Sequence, residues 1–251
     1  MKIKNTDTIH QGPLKVIVYA QSGVGKTSLA KTLPHDRVLV LSAESGLLPL
    51  SGTSIRYIDL SKNDEEQVLP TAEGRIKRLN EVLTYVTKPE VTKDFDWLVF
   101  DSATEIGELY ADYWKAKITD KAKAFEVWGN IAKDQITLLK TLRDMAHYNV
   151  VITCLEEYEK DDASRFFYGP KMPGNLGKEF MVPAFDLVFR MISDDKGVRY
   201  LQTNAMANMR CKDRSGKLQP QEPADLGKIA SKIRGVEGDK NEKENSKKES
   251  K

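Results

Sequence analysis

Residues 14–34 read LKVIVYAQSGVGKTSLAKTLP, and their order decides the fold. A short β-branched run, residues 14–20, is a strand by composition and leads straight into a glycine-rich turn. A helix is then predicted from Lys26 to just before Pro34, because proline disfavours the helical region for the residue preceding it. Strand, turn and helix enclose residues 20–27, AQSGVGKT, which fit the phosphate-binding loop pattern with Ala20 in the place of its first glycine. Each residue type has a task. Gly23 and Gly25 let the backbone turn its N–H groups inward around phosphates. Lys26 supplies a point charge, Thr27 a hydroxyl for a divalent cation, and the helix its positive end. Gln21, Ser22, Val24 and Ser28 complete the cradle.

Outward from this loop, residues 38–42 (VLVLS), 55–60, 97–100 (WLVF) and 150–155 (VVITCL) read as further strands. Residues 72–86 and two stretches between 104 and 148 have helical spacing, the last through Ile131, Ile136, Leu139, Leu142 and Met145. Residues 187–192 and 199–203 read as strands joined by a turn at 194–197. Continuous apolar strands alternating with helices predict an α/β fold, a P-loop NTPase core with a mainly parallel sheet, helices on both faces and a C-terminal antiparallel hairpin region. Residues 235–251 contain almost no apolar side chain and read as a disordered charged tail. The expected division is therefore a domain over 1–234 and a tail over 235–251.

The 251 residues suit one such domain. With 39 Lys+Arg against 37 Asp+Glu, the net charge of +2 excludes a histone-like global field, so nucleic-acid binding would have to come from local clusters. Cys154 and Cys211 are far apart and lack CxxC spacing, which argues against a disulfide scaffold or zinc site and for a reducing cytoplasm. Cys154 is expected to be buried. The opening MKIKNTDTIHQG has no apolar core of a signal peptide, and no run has the length of a membrane helix.

Asp101 ends a buried strand, where a P-loop fold holds Mg²⁺, and Ser102 follows it as a helix cap or a neighbour of the metal. Glu44 directly follows the second strand, placed to act as a general base that orients water toward a γ-phosphate. Lys26, Glu44 and Asp101 are thus the candidate catalytic residues, Thr27 and Asp101 the candidate metal ligands, and ATP with Mg²⁺ the expected cofactors.

With these motifs the chain resembles the RecA-like recombinase core. Residues 41–47 (LSAESGL) look like that family's strand-two segment with its water-activating Glu, and residues 98–102 (LVFDS) like its Walker B strand. The resemblance implies that residues 151–155 are the sensor strand, with Thr153, and next Glu156, as the polar residue that reads the γ-phosphate. It implies that residues 173–180 (PGNLGKEF) end the second DNA-binding loop. More narrowly, VYAQSGVGKTSLA and KDRSGKL are similar to phage-encoded RecA-like ATPases that support single-strand annealing and recombination, which would place the protein in a host cytoplasm. Expected partners are single-stranded DNA, further copies of the chain in a ring or short filament, and a single-strand binding protein. The chain departs from full-length bacterial RecA in leaving no room for its polymerisation helix or DNA-gathering domain.

Residues 156–178 (EEYEKDDASRFFYGPKMPGNLGK) are the candidate DNA contact on composition alone, read as a loop. They join Arg165, Lys171 and Lys178 to Phe166, Phe167 and Tyr168, and single strands are held by cations on phosphates and aromatics under bases. Their acidic opening argues against contact in the first half. Trp114, Phe125 and Trp128 are expected to pack in the helical core. Arg210, Lys212 and Arg214 form a basic hairpin tip, from which one cation is expected to complete a neighbouring subunit's ATP site, with a merely structural charged turn as the competing reading. The leading reading is an ATP hydrolase that is DNA-dependent and promotes annealing or homologous recombination. The alternatives are a helicase-type motor, or a nucleotide switch or kinase that does not bind DNA.

Overall fold

In the computed structural model, which describes residues 6–7, 12–160, 164, 166–206 and 208–236, the apolar runs become the middle of one sheet. Strand β1 is Lys15–Ala20, β2 Val38–Ser42, β3 Arg56–Asp59, β4 Trp97–Asp101, β5 Asn149–Lys160 and β6 Phe166–Pro170. Beyond them lie β7 Leu187–Ser193, β8 Arg199–Gln202, β9 Lys212–Asp213 and β10 Gln221–Pro223. The order across the sheet is β3–β2–β4–β5–β1–β7–β8–β10, parallel from β3 to β7 and antiparallel at β8 and β10. The fold class predicted from the alternating runs is the one observed.

Alternate side chains of each central strand serve opposite faces. Ile17, Tyr19, Leu98, Phe100, Val150 and Ile152 join one core cluster, and Val16, Val18, Val99 and Val151 the other. Helices α1 (Ala72–Tyr85), α3 (Ala103–Lys117), α4 (Ala124–Arg143) and α5 (Asn175–Ala184) cover the first face, with the single turn α2 (Pro89–Thr92) beside them. The second face is covered by the short helix after the phosphate loop and by α6 (Leu226–Arg234). Residues 226–234 were not assigned from sequence, although Asp225 caps α6 and Leu226, Ile229, Ala230 and Ile233 form its buried stripe.

Three expectations change. The segment after the phosphate loop is a 3₁₀ helix, Thr27–Thr32, rather than an α-helix. Leu33 is already extended ahead of Pro34, so only six residues are left, and they close with bonds such as Leu33 N–H to Ala30 O. Residues 156–170 are a hairpin rather than a loop: β5 runs on to Lys160 and pairs antiparallel with β6. Phe125 and Trp128 are exposed, 92% and 45%, not packed in the core. On α4 they stand about 160° and 100° around the axis from Val127, off the stripe through Ile131, Leu138 and Leu142 that the helix buries. Trp114 is partly buried and donates to Asp134 at 2.7 Å. Cys154 is buried as expected.

Helix α5 lies against α4 because Gly177 leaves space for the fully buried Gln135, whose Oε1 would sit 2.2 Å from a Cβ at that position. Gly177→Ala is therefore expected to lower stability by about 1–3 kcal/mol, read from urea denaturation, despite alanine's higher helix propensity.

Candidate active site

The site forms where β1, β5 and β4 end side by side. Residues 21–26 turn out of β1, with Gly23 at φ +81° and Gly25 at φ +112°, values that L side chains rarely adopt. Lys26 is 8% exposed and its ammonium donates to Ala20 O and Gln21 O, both at 3.2 Å. Burial lowers its pKa, against the opposing pull of Glu44 and Asp101.

Asp101, at the end of β4, is the hub. The Thr27 hydroxyl donates to its Oδ2 at 2.7 Å, and the Thr153 hydroxyl, from the intervening β5, donates to its Oδ1. Thus the sheet order, not sequence proximity, brings the predicted metal ligands and the predicted sensor together: Thr153 sits on the strand between β1, whose loop leads to Thr27, and β4, which ends on Asp101. Ser102 caps α3 by accepting from Glu105 N–H and donates to Glu44 Oε1, so Glu44 is held at the same end of the sheet although exposed.

The donor set here is hard oxygen: a carboxylate, two hydroxyls, and the buried Ser42 Oγ, which has no partner among the described residues and lies level with Asp101 across β2 and β4. This fits Mg²⁺, which takes one or two protein ligands and completes its shell with water and phosphate. No group of three or more His, Cys, Asp or Glu that could hold a metal occurs among the described residues.

Other expected site residues are engaged elsewhere. Glu156 is gripped by Arg190, with Nε to Oε2 at 2.6 Å and Nη2 to Oε1 at 3.1 Å, and so is not free to read a phosphate. Lys178 is held between Glu157, at 3.0 Å, and Glu159 rather than standing out as a cation for DNA. Lys171 lies 3.8 Å from Glu108 and remains partly exposed. Arg210 covers the ring of Phe167 at 4.2 Å and lies 3.7 Å from Glu159. Lys212 donates to Val182 O and Pro183 O at the end of α5, and Arg214 to Pro183 O and Asp186. The expected free basic tip is thus a cap on a helix terminus. Arg165 and residues 237–251 of the expected tail lie outside the described residues.

On the hairpin, strand alternation sorts the side chains into two faces. Glu157, Glu159 and Phe167 face the cations Lys178 and Arg210. On the other face Tyr158 stacks on Phe166 (5.0 Å, 7°) and meets Tyr168 at 4.8 Å, with Lys160 over Phe166 and Arg190 over Tyr168. Tyr158 was not singled out from sequence; its place in an E-Y-E-K alternation was the available signal.

No helix among the described residues is long and apolar enough to cross a membrane. No curated protein matches the chain. Among solved structures, a prototypical ATPase from the type III secretion system of pathogenic bacteria is similar at 16% identity, over 72% of this chain and 52% of that one, with a TM-score of 0.44. The chain spans about half the length of that protein, and so distant a likeness carries no argument. A family model described as an AAA domain (AAA_24) matches residues 12–215. That match begins before β1 and ends after β9, taking in the phosphate loop, Glu44, Asp101 and Thr153, and the chain belongs to this family of P-loop ATPase domains.

Proposed function

We propose that the protein is an ATP hydrolase whose turnover is coupled to single-stranded DNA, in the service of annealing or homologous recombination. The observation that carries this reading is one continuous strand. β5 holds Thr153 against Asp101 and, five residues or about 17 Å further on, presents Tyr158 to solvent. Tyr158 and Phe166 are 56% and 49% exposed, already stacked on each other, and have Lys160 beside them. Exposed aromatics with a neighbouring cation form a platform for bases and phosphates. Glu157 and Glu159 of the same hairpin are turned to its other face and neutralised there, and Glu156, on the aromatic face, is neutralised by Arg190, so these three do not oppose a polyanion at that face.

In this reading Lys26 and the loop amides hold the triphosphate, and Thr27 and Asp101 would hold Mg²⁺. Bound Mg²⁺ would neutralise charge that develops on the phosphate oxygens. Glu44, fixed by Ser102, orients and deprotonates the attacking water. Thr153 transmits the state of the site to the hairpin along β5. Copies of the chain would line a ring or short filament on the strand, and Arg210 is the remaining candidate for a cation acting between subunits.

The test is steady-state hydrolysis by wild type, Lys26→Ala, and Tyr158→Ala/Phe166→Ala, with and without single-stranded DNA at two salt concentrations. The expected result is stimulation by DNA that Lys26→Ala abolishes and that salt weakens. The double alanine variant should keep basal hydrolysis and lose about tenfold or more in DNA affinity, at about 1–3 kcal/mol per stacked base. Hydrolysis that needs Lys26 but ignores DNA would sink the recombination reading.

A further inference from the structure

The phosphate loop has a neighbour that none of the site residues above accounts for. β7 is parallel to β1 with Tyr19 opposite Arg190, so Met191 to Ser193 continue past Ala20, level with the loop. β8 returns antiparallel with Arg199 opposite Ser193. The sheet thereby stands Arg199 beside residues 21–25. Its guanidinium lies along Gly25: a Cβ at that glycine would be 2.7 Å from Cζ, 2.8 Å from Nη1 and 2.9 Å from Nε. Glycine at position 25 thus serves two needs, the positive φ and the open side on which Arg199 rests.

The charge of Arg199 is uncommitted. Its side chain makes no hydrogen bond or ion pair among the described residues, and it is exposed. Arg190, the neighbouring cation on β7, differs in this respect, being bound to Glu156. Of the acids in the turn before it, Asp194 accepts from Lys196 N–H and Val198 N–H and meets the Tyr200 hydroxyl. A planar fork with five donors matches phosphate oxygens, and its place against a phosphate-loop sequence makes phosphate the fitting ligand.

We infer that Arg199 is a nucleotide-binding residue supplied by the same chain, donating from the side of Gly25 to the phosphates of a nucleoside di- or triphosphate seated in the loop. The inference rests on nucleotide binding at the loop but not on DNA. It gives the antiparallel β7–β8 hairpin a role, that of carrying a second cation to a site otherwise built from β1, β4 and β5. Phosphate charge is then met from two directions, by Lys26 from within the loop and Arg199 from outside it.

The test is binding of ATP, ADP and adenosine to wild type, Arg199→Ala, Arg199→Lys and Lys26→Ala by titration calorimetry, with the thermal midpoint of each unliganded protein. Arg199→Ala should bind ATP and ADP about tenfold or more weakly, the loss of a charge-assisted hydrogen bond. Arg199→Lys should recover part of that loss, adenosine binding should not change, and the midpoints should match wild type, since an exposed, unpaired side chain contributes little to the fold. Unchanged ATP and ADP binding by Arg199→Ala, while Lys26→Ala abolishes it, would overturn the inference and leave the nucleotide site intact. An equal loss for adenosine, or a fall in midpoint that tracks the affinity loss, would also overturn it, marking Arg199 as a support for the loop. Failure of wild type itself to bind ATP would remove the site on which both readings rest.

Discussion

Glu44→Gln is expected to lower kcat for ATP hydrolysis by about 10²–10⁴-fold while leaving ATP affinity close to wild type. The substitution removes the basic oxygen needed to take a proton from water. It keeps a carbonyl oxygen that accepts the Ser102 hydroxyl, so the link between the end of β2 and the start of α3 survives. Lys26→Ala is expected to behave differently, losing ATP binding itself, because the ammonium is the one cation inside the loop. Single-turnover hydrolysis with saturating ATP separates the two variants: Glu44→Gln forms a complex that does not turn over, and Lys26→Ala forms little complex. If Glu44→Gln hydrolysed at the wild-type rate, the water would be activated by some other group, and Glu44 would be an acceptor for Ser102 and nothing more.

How much of this was legible beforehand varied with the range of the information needed. The phosphate-loop pattern, the four buried strands and the position of Asp101 at a strand end are carried by short continuous segments, and local pattern sufficed for them. Thr153 and Glu156 lie three residues apart on one strand and read as first and second choice for the same role, yet one bonds Asp101 and the other Arg190. What separates them is that β5 and β7 flank β1, a fact of strand order that no local spacing contains. The hairpin was hidden by its charge: Glu156, Glu157, Glu159 and Lys160 suggest a solvated loop until their partners, Arg190, Lys178 and Arg210, come in from distant segments. Arg199 looked like an ordinary strand residue for the same reason, since its relation to Gly25 exists only once β8 returns beside the loop. Phe125 and Trp128 show the opposite error, in which a general preference of aromatics for the core outweighed the helical phase that points them outward.

The pair Glu156–Arg190 gives the second large effect. Its side chains are 4% and 15% exposed, and Arg190 also lies 3.7 Å over the ring of Tyr168, whose carbonyl accepts from the Tyr19 hydroxyl. Burial works against the guanidinium's charge, and the bonds to Glu156 more than restore it, so the Arg190 pKa stands above its ordinary value. Removing one partner leaves the other charged and desolvated. Glu156→Ala and Arg190→Ala should each cost about 3–5 kcal/mol, while the double variant should be less destabilised than the sum of the two, because it strands no charge. Urea denaturation without nucleotide measures all three. A residue whose task is to read a γ-phosphate would give the reverse pattern: Glu156→Ala would leave the midpoint alone and slow hydrolysis. Since β5 carries both Glu156 and Thr153, the pair also anchors the strand between the catalytic end and Tyr158. If turnover is coupled to DNA as proposed, loosening the pair should weaken that coupling more than turnover itself, whereas Thr153→Ala, which acts at Asp101, should reduce both together.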